Sequence, residues 1–324
     1  MKQKIISVLV MIILVITTFL FLIYSNVVMD SVTFSISVWK DNLLPSLFPF
    51  FIISELLINY GFIDLISEIL KKVMNKYFHL PGDAGFVIIG SMISGFPSSA
   101  KYIKELLDKD KISIEEANYL LTFNHFSNPL FVIGTIGLLL LNNKNIGILI
   151  LIVHMLSNFI IAIIFRPKIK LYSYESISIA TGIKKMHKKR IENNSNFVQI
   201  LTNSIYKTFK TLVLLLGIIT FFTIISNLLK EILPIKEECF AIISGIFEMT
   251  AGIKNISLLN IPLIIKASLI TFLISFGGLS IHMQVASILS DYNIKYRTYL
   301  IARILHGIIS SGIIYIIMNF FYFL

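Results

Sequence analysis

Two glutamates interrupt otherwise apolar stretches of the chain, Glu55 within Leu47-Phe-Pro-Phe-Phe-Ile-Ile-Ser-Glu-Leu-Leu57 and Glu248 just after the run 239–247. An ionised carboxylate is expensive in hydrocarbon, so one found there binds a cation or proton, or holds backbone N–H groups. A plain position near an interfacial helix end is the simpler role for either. Arg303 lies in the last long apolar run. Its planar fork matches a solute carboxylate; a structural ion pair, with Glu248 for example, is the alternative. His125 and His306 also sit in apolar runs, where imidazole relays protons, binds an acidic ligand or simply packs.

Two loops combine glycine with hydroxyls: Ser94-Gly95-Phe96-Pro97-Ser98-Ser99 and Ser275-Phe276-Gly277-Gly278-Leu279-Ser280. Glycine and proline free backbone groups that lipid cannot satisfy, so such breaks occur where protein or a wet cavity meets them. The helices that follow aim N-terminal N–H groups at the break, an arrangement suited to an anion. A kink with purely structural duties is the simpler reading of either loop alone. Lys101 follows the first loop, and His282 and Gln284 follow the second. Asn124, Ser127, Asn128 and Pro129 interrupt a third run, where amides and freed carbonyls can hold a polar ligand. His79, His154 and His187 carry no functional expectation. The chemistry in view is solute binding. The sequence holds no Gly-x-Ser-x-Gly, His-Glu-x-x-His or Walker loop, so no enzyme, catalytic residue or cofactor is expected. A single cysteine, Cys239, excludes an internal disulfide and a cysteine-rich metal site, and no metal centre is expected.

Such residues need elements that can hold them in lipid. The 324 residues are 56% hydrophobic and only 14% charged, with a mean hydropathy of +0.84; soluble domains run to about a quarter charged. Many segments must therefore be solvated by the bilayer. The formal charge of +10 is concentrated between Arg166 and Lys210, where ten basic residues face only Glu175 and Glu192. A basic loop flanked by apolar runs marks the cytoplasmic side. It lacks the aromatic interleaving of a nucleic-acid surface, and no nucleic-acid partner is expected. Uncharged runs cover Ile5–Met29, Ala84–Ala100, Ala117–Asn143, Asn145–Phe165, Thr211–Leu229, Ala267–Ser290 and Ile304–Leu324. The first reads as an uncleaved anchor with its N-terminus inside. Residues 62–78 read as a helix lying at the interface.

A gapless shift of 181 residues superposes Ser94 on Ser275, Ser99 on Ser280, Asp110 on Asp291 and His125 on His306, and a shift of 193 brings Glu55 to Glu248. Paired discontinuous segments in two halves point to a transporter binding site. The expected fold is an all-α polytopic membrane bundle of two repeats, each with a broken re-entrant hairpin. Three crossings between them, 117–143, 145–165 and 211–229, would invert the second half. A fourth over 238–253 would make the halves parallel, and Glu248 in that short segment favours a half-crossing and so inversion. The first repeat, 1–165, comprises the anchor, the glutamate helix, a hairpin over 84–107 and spans over 113–141 and 145–165. A basic loop covers 166–210. The second repeat, 211–324, has a hairpin over 262–290 and a last span over 296–322.

The stretches Leu47–Leu57, Pro81-Gly-Asp-Ala-Gly85, Ser94-Gly-Phe-Pro-Ser-Ser-Ala-Lys101, Leu121-Thr-Phe-Asn-His-Phe-Ser-Asn-Pro-Leu-Phe131, Phe276-Gly-Gly-Leu-Ser-Ile-His-Met-Gln284 and Ala302-Arg-Ile-Leu-His306 together resemble the YlbJ-type sporulation integral membrane proteins. That family carries "nucleoside recognition" Gate repeats and is similar to concentrative nucleoside transporters. The resemblance implies a role in endospore formation, moving dipicolinic acid across the outer forespore membrane. The chain departs from the family in having Gly-Phe-Pro-Ser-Ser where an aromatic-Pro-x-Gly pattern is expected; Ser98 and Ser99 add hydroxyls there. The expectation is thus a multi-pass transporter or channel for a small anionic organic solute. Gly95, Phe96, Pro97, Ser98, Ser99, Asn124, Ser127, Asn128, Gly277, Gly278, Ser280, His282, Gln284 and Arg303 would bind the solute. Glu55, Glu248, His125 and His306 would couple transport or support the hairpins. A nucleoside or cation symporter is the first alternative, and a non-transporting spore membrane assembly protein the second. Expected partners are the lipid bilayer and the solute, with room for a homo-oligomer or spore membrane proteins.

Overall fold

The computed structural model describes residues 2–167, 178–192 and 195–322; Lys168, Lys170 and Glu175, counted above in the basic loop, lie outside them. All regular structure among the described residues is helical, as a chain in lipid requires when it must satisfy its own backbone. Helix α1 (Lys2–Ile23) turns by 93° at Tyr24 into α2 (Ser25–Val38). The anchor expected over 5–29 is therefore not one straight crossing. Apolarity predicts that a run is in lipid but not that it is straight, and Tyr24 leaves helical geometry (φ −103°, ψ 41°) before polar Ser25 and Asn26. A π-helical turn, Trp39–Leu43, joins α2 to α3 (Leu44–Asn59). An 85° bend at Gly61 then leads to α4 (Phe62–Val73), which continues as a π-helical turn to Phe78. This segment, expected from its sequence to lie at the interface, buries Ile63 and Glu68 and exposes Ile69, Val73 and Tyr77.

Next come α5 (Ala84–Ser94) and α6 (Ser98–Asp108). The rings of Phe86 and Tyr102 are 5.1 Å apart, whereas 16 residues of straight helix would separate them by about 24 Å. These two helices form a hairpin. Helix α7 (Ile114–Phe123) starts on a Ser113/Glu116 capping box. It stops at Asn124, and the chain resumes helical winding only beyond Asn128, as the π-helical segment Phe131–Leu140. Helix α8 (Lys144–Ile164) crosses unbroken. Helix α9 (Ile179–Glu192) packs on α4, and α10 (Phe197–Ile232) begins inside the segment expected to be loop. An Asn196/Gln199 capping box fixes that early start. Helix α10 lies antiparallel to α2 and α3, joined by Asn227 to Ser31 (2.9 Å) and by Trp39 to the Leu212 carbonyl (2.7 Å).

Helices α11 (Glu237–Phe247) and α12 (Met249–Leu258) fold back on one another. The Asn255 amide donates to Ser244 Oγ at 3.0 Å, and a Cβ on Gly252 would lie 2.0 Å from Gly245 Cα. Helices α13 (Leu263–Phe276) and α14 (Gly278–Ile288) together make one 26-residue apolar span interrupted at Gly277. Helix α15 (Tyr296–Tyr322) closes the fold. The hairpin expected at 262–290 is thus an interrupted straight span, and the second hairpin lies upstream at 237–258. Charge explains the difference. Lys101, Lys104, Glu105 and Asp108 on α6 force the first hairpin's second arm back to a surface, whereas α14 carries no Asp, Glu, Lys or Arg and can run on through lipid.

The structural repeat is accordingly hairpin, interrupted span, unbroken span, over 84–164 and again over 237–322. Between the hairpins lie the interrupted segment 114–140 and the long helices 144–164 and 197–232. In this pairing His154 on α8 matches His306 on α15. The 181-residue shift had matched a hairpin break to a span break, since both look alike locally.

Candidate functional site

The break in α7 is held by its own side chains. Asn128 Oδ1 accepts from the amides of Leu130 (2.8 Å) and Phe131 (3.3 Å), starting the next helical segment as a cap does. Its Nδ2 donates to the Ser94 carbonyl at 3.3 Å, tying the break to the first hairpin tip. The approach is so close that a Cβ on Gly95 (φ +79°) would sit 2.4 Å from Asn128 N. Ser98, one of the extra hydroxyls, donates to the Gly95 carbonyl and lies 2.7 Å from Ser94 Oγ, so the departure from the family pattern is absorbed within the tip. Phe96 stacks on His125 with ring centroids 4.7 Å apart. From the other side, a Cβ on Gly277 (φ +92°) would fall 2.7 Å from His125 Nε2.

Behind the breaks lies a polar core. His154 Nε2 accepts from the Ser127 amide at 3.0 Å, so its proton sits on Nδ1 and is donated to Ser275 Oγ at 2.9 Å. Ser310 donates to the same Ser275 oxygen (2.8 Å), and Asn158 donates to the His125 carbonyl (2.8 Å). Arg303 is fully buried. It donates to the Thr122 carbonyl and, at 3.0 Å, to His306 Nδ1, which leaves the His306 proton on Nε2 for the His154 carbonyl (3.0 Å). Thr122 lies in the last turn of α7, whose partial negative charge a cation complements. The guanidinium also stands 5.7 Å from the Tyr299 ring centroid. Among the described residues no carboxylate lies within ion-pair distance of Arg303, so the pair with Glu248 is not formed. His282 accepts from Tyr296 OH (3.0 Å) and donates to the Phe276 carbonyl (3.0 Å). Buried polar atoms of Asn124, His125, Ser127, Ser280, Tyr299 and Arg303 have no protein partner, an unusual concentration for buried groups.

A cavity of about 30 Å³ joins the two hairpin tips. Phe96 and Pro97 line it from the first, Glu248, Met249 and Thr250 from the second, and Ile281 and Gln284 from α14; Leu43, Leu47, Leu215 and Ile219 complete it. The N-terminal ends of α6 and α12 both contribute to its wall, each favouring negative charge. At α12 the protein supplies that charge itself: Glu248 Oε2 accepts from the Ala251 amide at 2.7 Å. Glu248 is therefore a cap at a helix break, unlike Glu55, which lies mid-helix in α3 with Lys101 Nζ at 3.0 Å and Lys207 Nζ at 3.7 Å. Glu55 thus braces the first hairpin against α3 and α10.

Of the residues expected to bind solute, only Phe96, Pro97 and Gln284 line the cavity, with Glu248 from the supporting set. Gly95, Ser98, Asn124, Ser127, Asn128, Gly277, Gly278, Ser280, His282 and Arg303 belong to the tip and the polar core behind it. Ser99 is buried in the first turn of α6. His154, Asn158 and Tyr299 were missed. The signal was there: His154 and Asn158, like His306 and Ser310, stand four residues apart in an apolar helix, making a polar stripe on one face.

A family model described as "Gate: Nucleoside recognition" matches residues 42–166. The chain is 31% identical over 302 residues to the sporulation integral membrane protein YlbJ of Bacillus subtilis (strain 168), covering 85% of this chain and 74% of that protein. No solved structure matches.

Proposed function

The chain belongs to the family of the sporulation integral membrane protein YlbJ, and on that premise we propose that it carries a small anionic organic solute, dipicolinic acid during endospore formation, across the membrane. The observation that carries this reading is Arg303, a cation buried without a carboxylate partner among the described residues and backed by four imidazoles. A buried charge left uncompensated is costly, and a solute carboxylate would compensate it. The helix N-termini at the cavity act in the same sense.

The cavity does not reach Arg303 in this conformation. A ladder of rings separates them, Phe96 on His125 at 4.7 Å and His125 against Tyr299 at 6.4 Å, with Tyr299 beside Arg303. Solute entry therefore requires the hairpin tips to part and Phe96 to swing off His125. Glu248, facing the cavity, is the group that would take a proton or cation during such a cycle.

A second reading has its own support. A cavity of about 30 Å³ has room for about one water, and most of its wall is apolar, as in a membrane assembly protein that moves nothing. Thermal unfolding of the purified protein with dipicolinate, a nucleoside or a divalent cation separates the readings, because a ligand of the native state raises the midpoint with its concentration. Stabilisation by dipicolinate alone supports the anion carrier. Stabilisation by the nucleoside or cation alone refutes it, and no response to any ligand favours the assembly protein.

A further inference from the structure

Helices α4 and α9 pack against one another as a platform. Gly182 of α9 packs on Leu65 and Glu68, Met186 closes on Gly61, Lys185 pairs with Glu68, and Arg190 stands 4.7 Å from the Tyr60 ring centroid. With that face of α9 spent on α4, another is left uncovered. Ile179, Ile183 and Ile191 are exposed, and with His187 they fall at intervals of four, a continuous stripe along a helix. Lys184 and Lys188 flank it and are also exposed. Helix α4 and its π turn repeat the pattern: Ile69, Val73 and Tyr77 are exposed at intervals of four, beside exposed Lys72 and Lys76. The acidic side chains of the platform are engaged. Asp64 pairs with Lys111 and Glu68 with Lys185, while Glu192 lies within 4 Å of Lys188 and Lys189. Among the described residues Lys72, Lys76 and Lys184 have no carboxylate partner.

We propose that α4 and α9 form a docking surface for anionic phospholipid of the leaflet on the basic face, with the isoleucine stripe entering the acyl boundary and the flanking lysines meeting headgroup phosphates. Apolar stripes bordered by lysines, with a tyrosine at one end, are what a helix lying in the headgroup region presents. The charge complementarity selects an anionic leaflet over a zwitterionic one. The surface is also tied to the first hairpin: Lys111 bridges Asp64 of α4 (2.6 Å) and Asp83 (2.7 Å), the residue just before α5, and Ser67 donates to Asp83 at 2.9 Å. Lipid bound at α4 and α9 thus holds the base of the hairpin whose tip closes the cavity.

The test uses the full chain with Cys239→Ser and Ile183→Cys, labelled with an environment-sensitive dye, in nanodiscs of phosphatidylcholine alone or mixed with phosphatidylglycerol. Spin-labelled lipid in the disc reports contact by quenching. Quenching and a blue shift in the anionic disc, weaker in the zwitterionic one and screened by salt, are expected. At about fivefold per lysine, Lys184→Glu with Lys188→Glu should lower the docked-to-undocked ratio by at least about 25-fold. Equal quenching in both discs overturns the anionic preference. No quenching in either overturns membrane docking and leaves the stripe to a soluble protein partner.

Discussion

Replacing Arg303 separates a solute-binding role from a structural one, and the structure sets the size of each effect. The guanidinium makes hydrogen bonds to the Thr122 carbonyl and to His306 Nδ1, so Arg303→Met leaves two buried acceptors unpaired. Each costs about 1–3 kcal/mol, and less where membrane-buried partners rearrange. Against this, methionine occupies much of the stem's volume and removes a charge whose burial opposes folding by several kcal/mol. The two contributions nearly cancel, so Arg303→Met should change stability by no more than about 2 kcal/mol while abolishing anion transport. Arg303→Lys keeps the charge but loses the fork. A two-point grip reduced to one loses about 1.4 kcal/mol, a tenfold weaker solute affinity, with transport surviving at raised solute concentration. The assay pairs folded yield, by size-exclusion fluorescence, with dipicolinate uptake into proteoliposomes. A well-folded Arg303→Met protein that still transports would refute the reasoning, as would an Arg303→Lys protein that loses its fold.

Phe96→Ala should open the ring ladder over His125, enlarging the cavity and raising the rate of dipicolinate counterflow; an unchanged rate would remove Phe96 as a gate. Gly95→Ala places a Cβ 2.4 Å from Asn128 N at φ +79°, so it should lower the unfolding midpoint and release the α7 break, read as faster amide exchange over 124–131. Glu248→Ala removes the cap on Ala251 N at a cost of about 1 kcal/mol, whereas Glu248→Gln keeps an acceptor; equal loss of stability in both would show that charge, not capping, matters there. Lys111 is half-buried, which alone would lower its pKa, but Asp83 and Asp64 raise it above the ordinary 10.5. That contribution is complete below about pH 10.5 and is lost as pH rises through the higher folded value. Wild type should therefore lose an alkaline increment of thermal stability that Lys111→Met lacks, and identical pH profiles would contradict the pairing.

Much of this was legible from residue types. Charge density in the basic segment, the Gly and Pro breaks and the glutamates in apolar runs all pointed to the elements that meet at the cavity, because each violates what lipid tolerates. Lysines spaced among apolar positions in residues 62–78 marked an amphipathic helix, and that stretch is helical. Direction was harder. A helix break reads the same whether the chain reverses, as at Pro97, or continues, as at Gly277; the charges on α6 and their absence from α14 decide it, and that comparison was available. His154 was passed over because a lone histidine in an apolar span has no local signature, although Asn158 four residues on marked the same face. The ring ladder between cavity and Arg303 joins α7, the first hairpin and α15, and spacing along one chain cannot reveal it.

The central claim is that an anion reaches Arg303 through parted hairpin tips. Uptake of labelled dipicolinate by proteoliposomes holding the wild-type chain tests it most directly. The account predicts saturable uptake, dependent on Arg303 and accelerated by internal dipicolinate. Correctly folded protein that moves no dipicolinate, under any gradient of solute or proton, would contradict it.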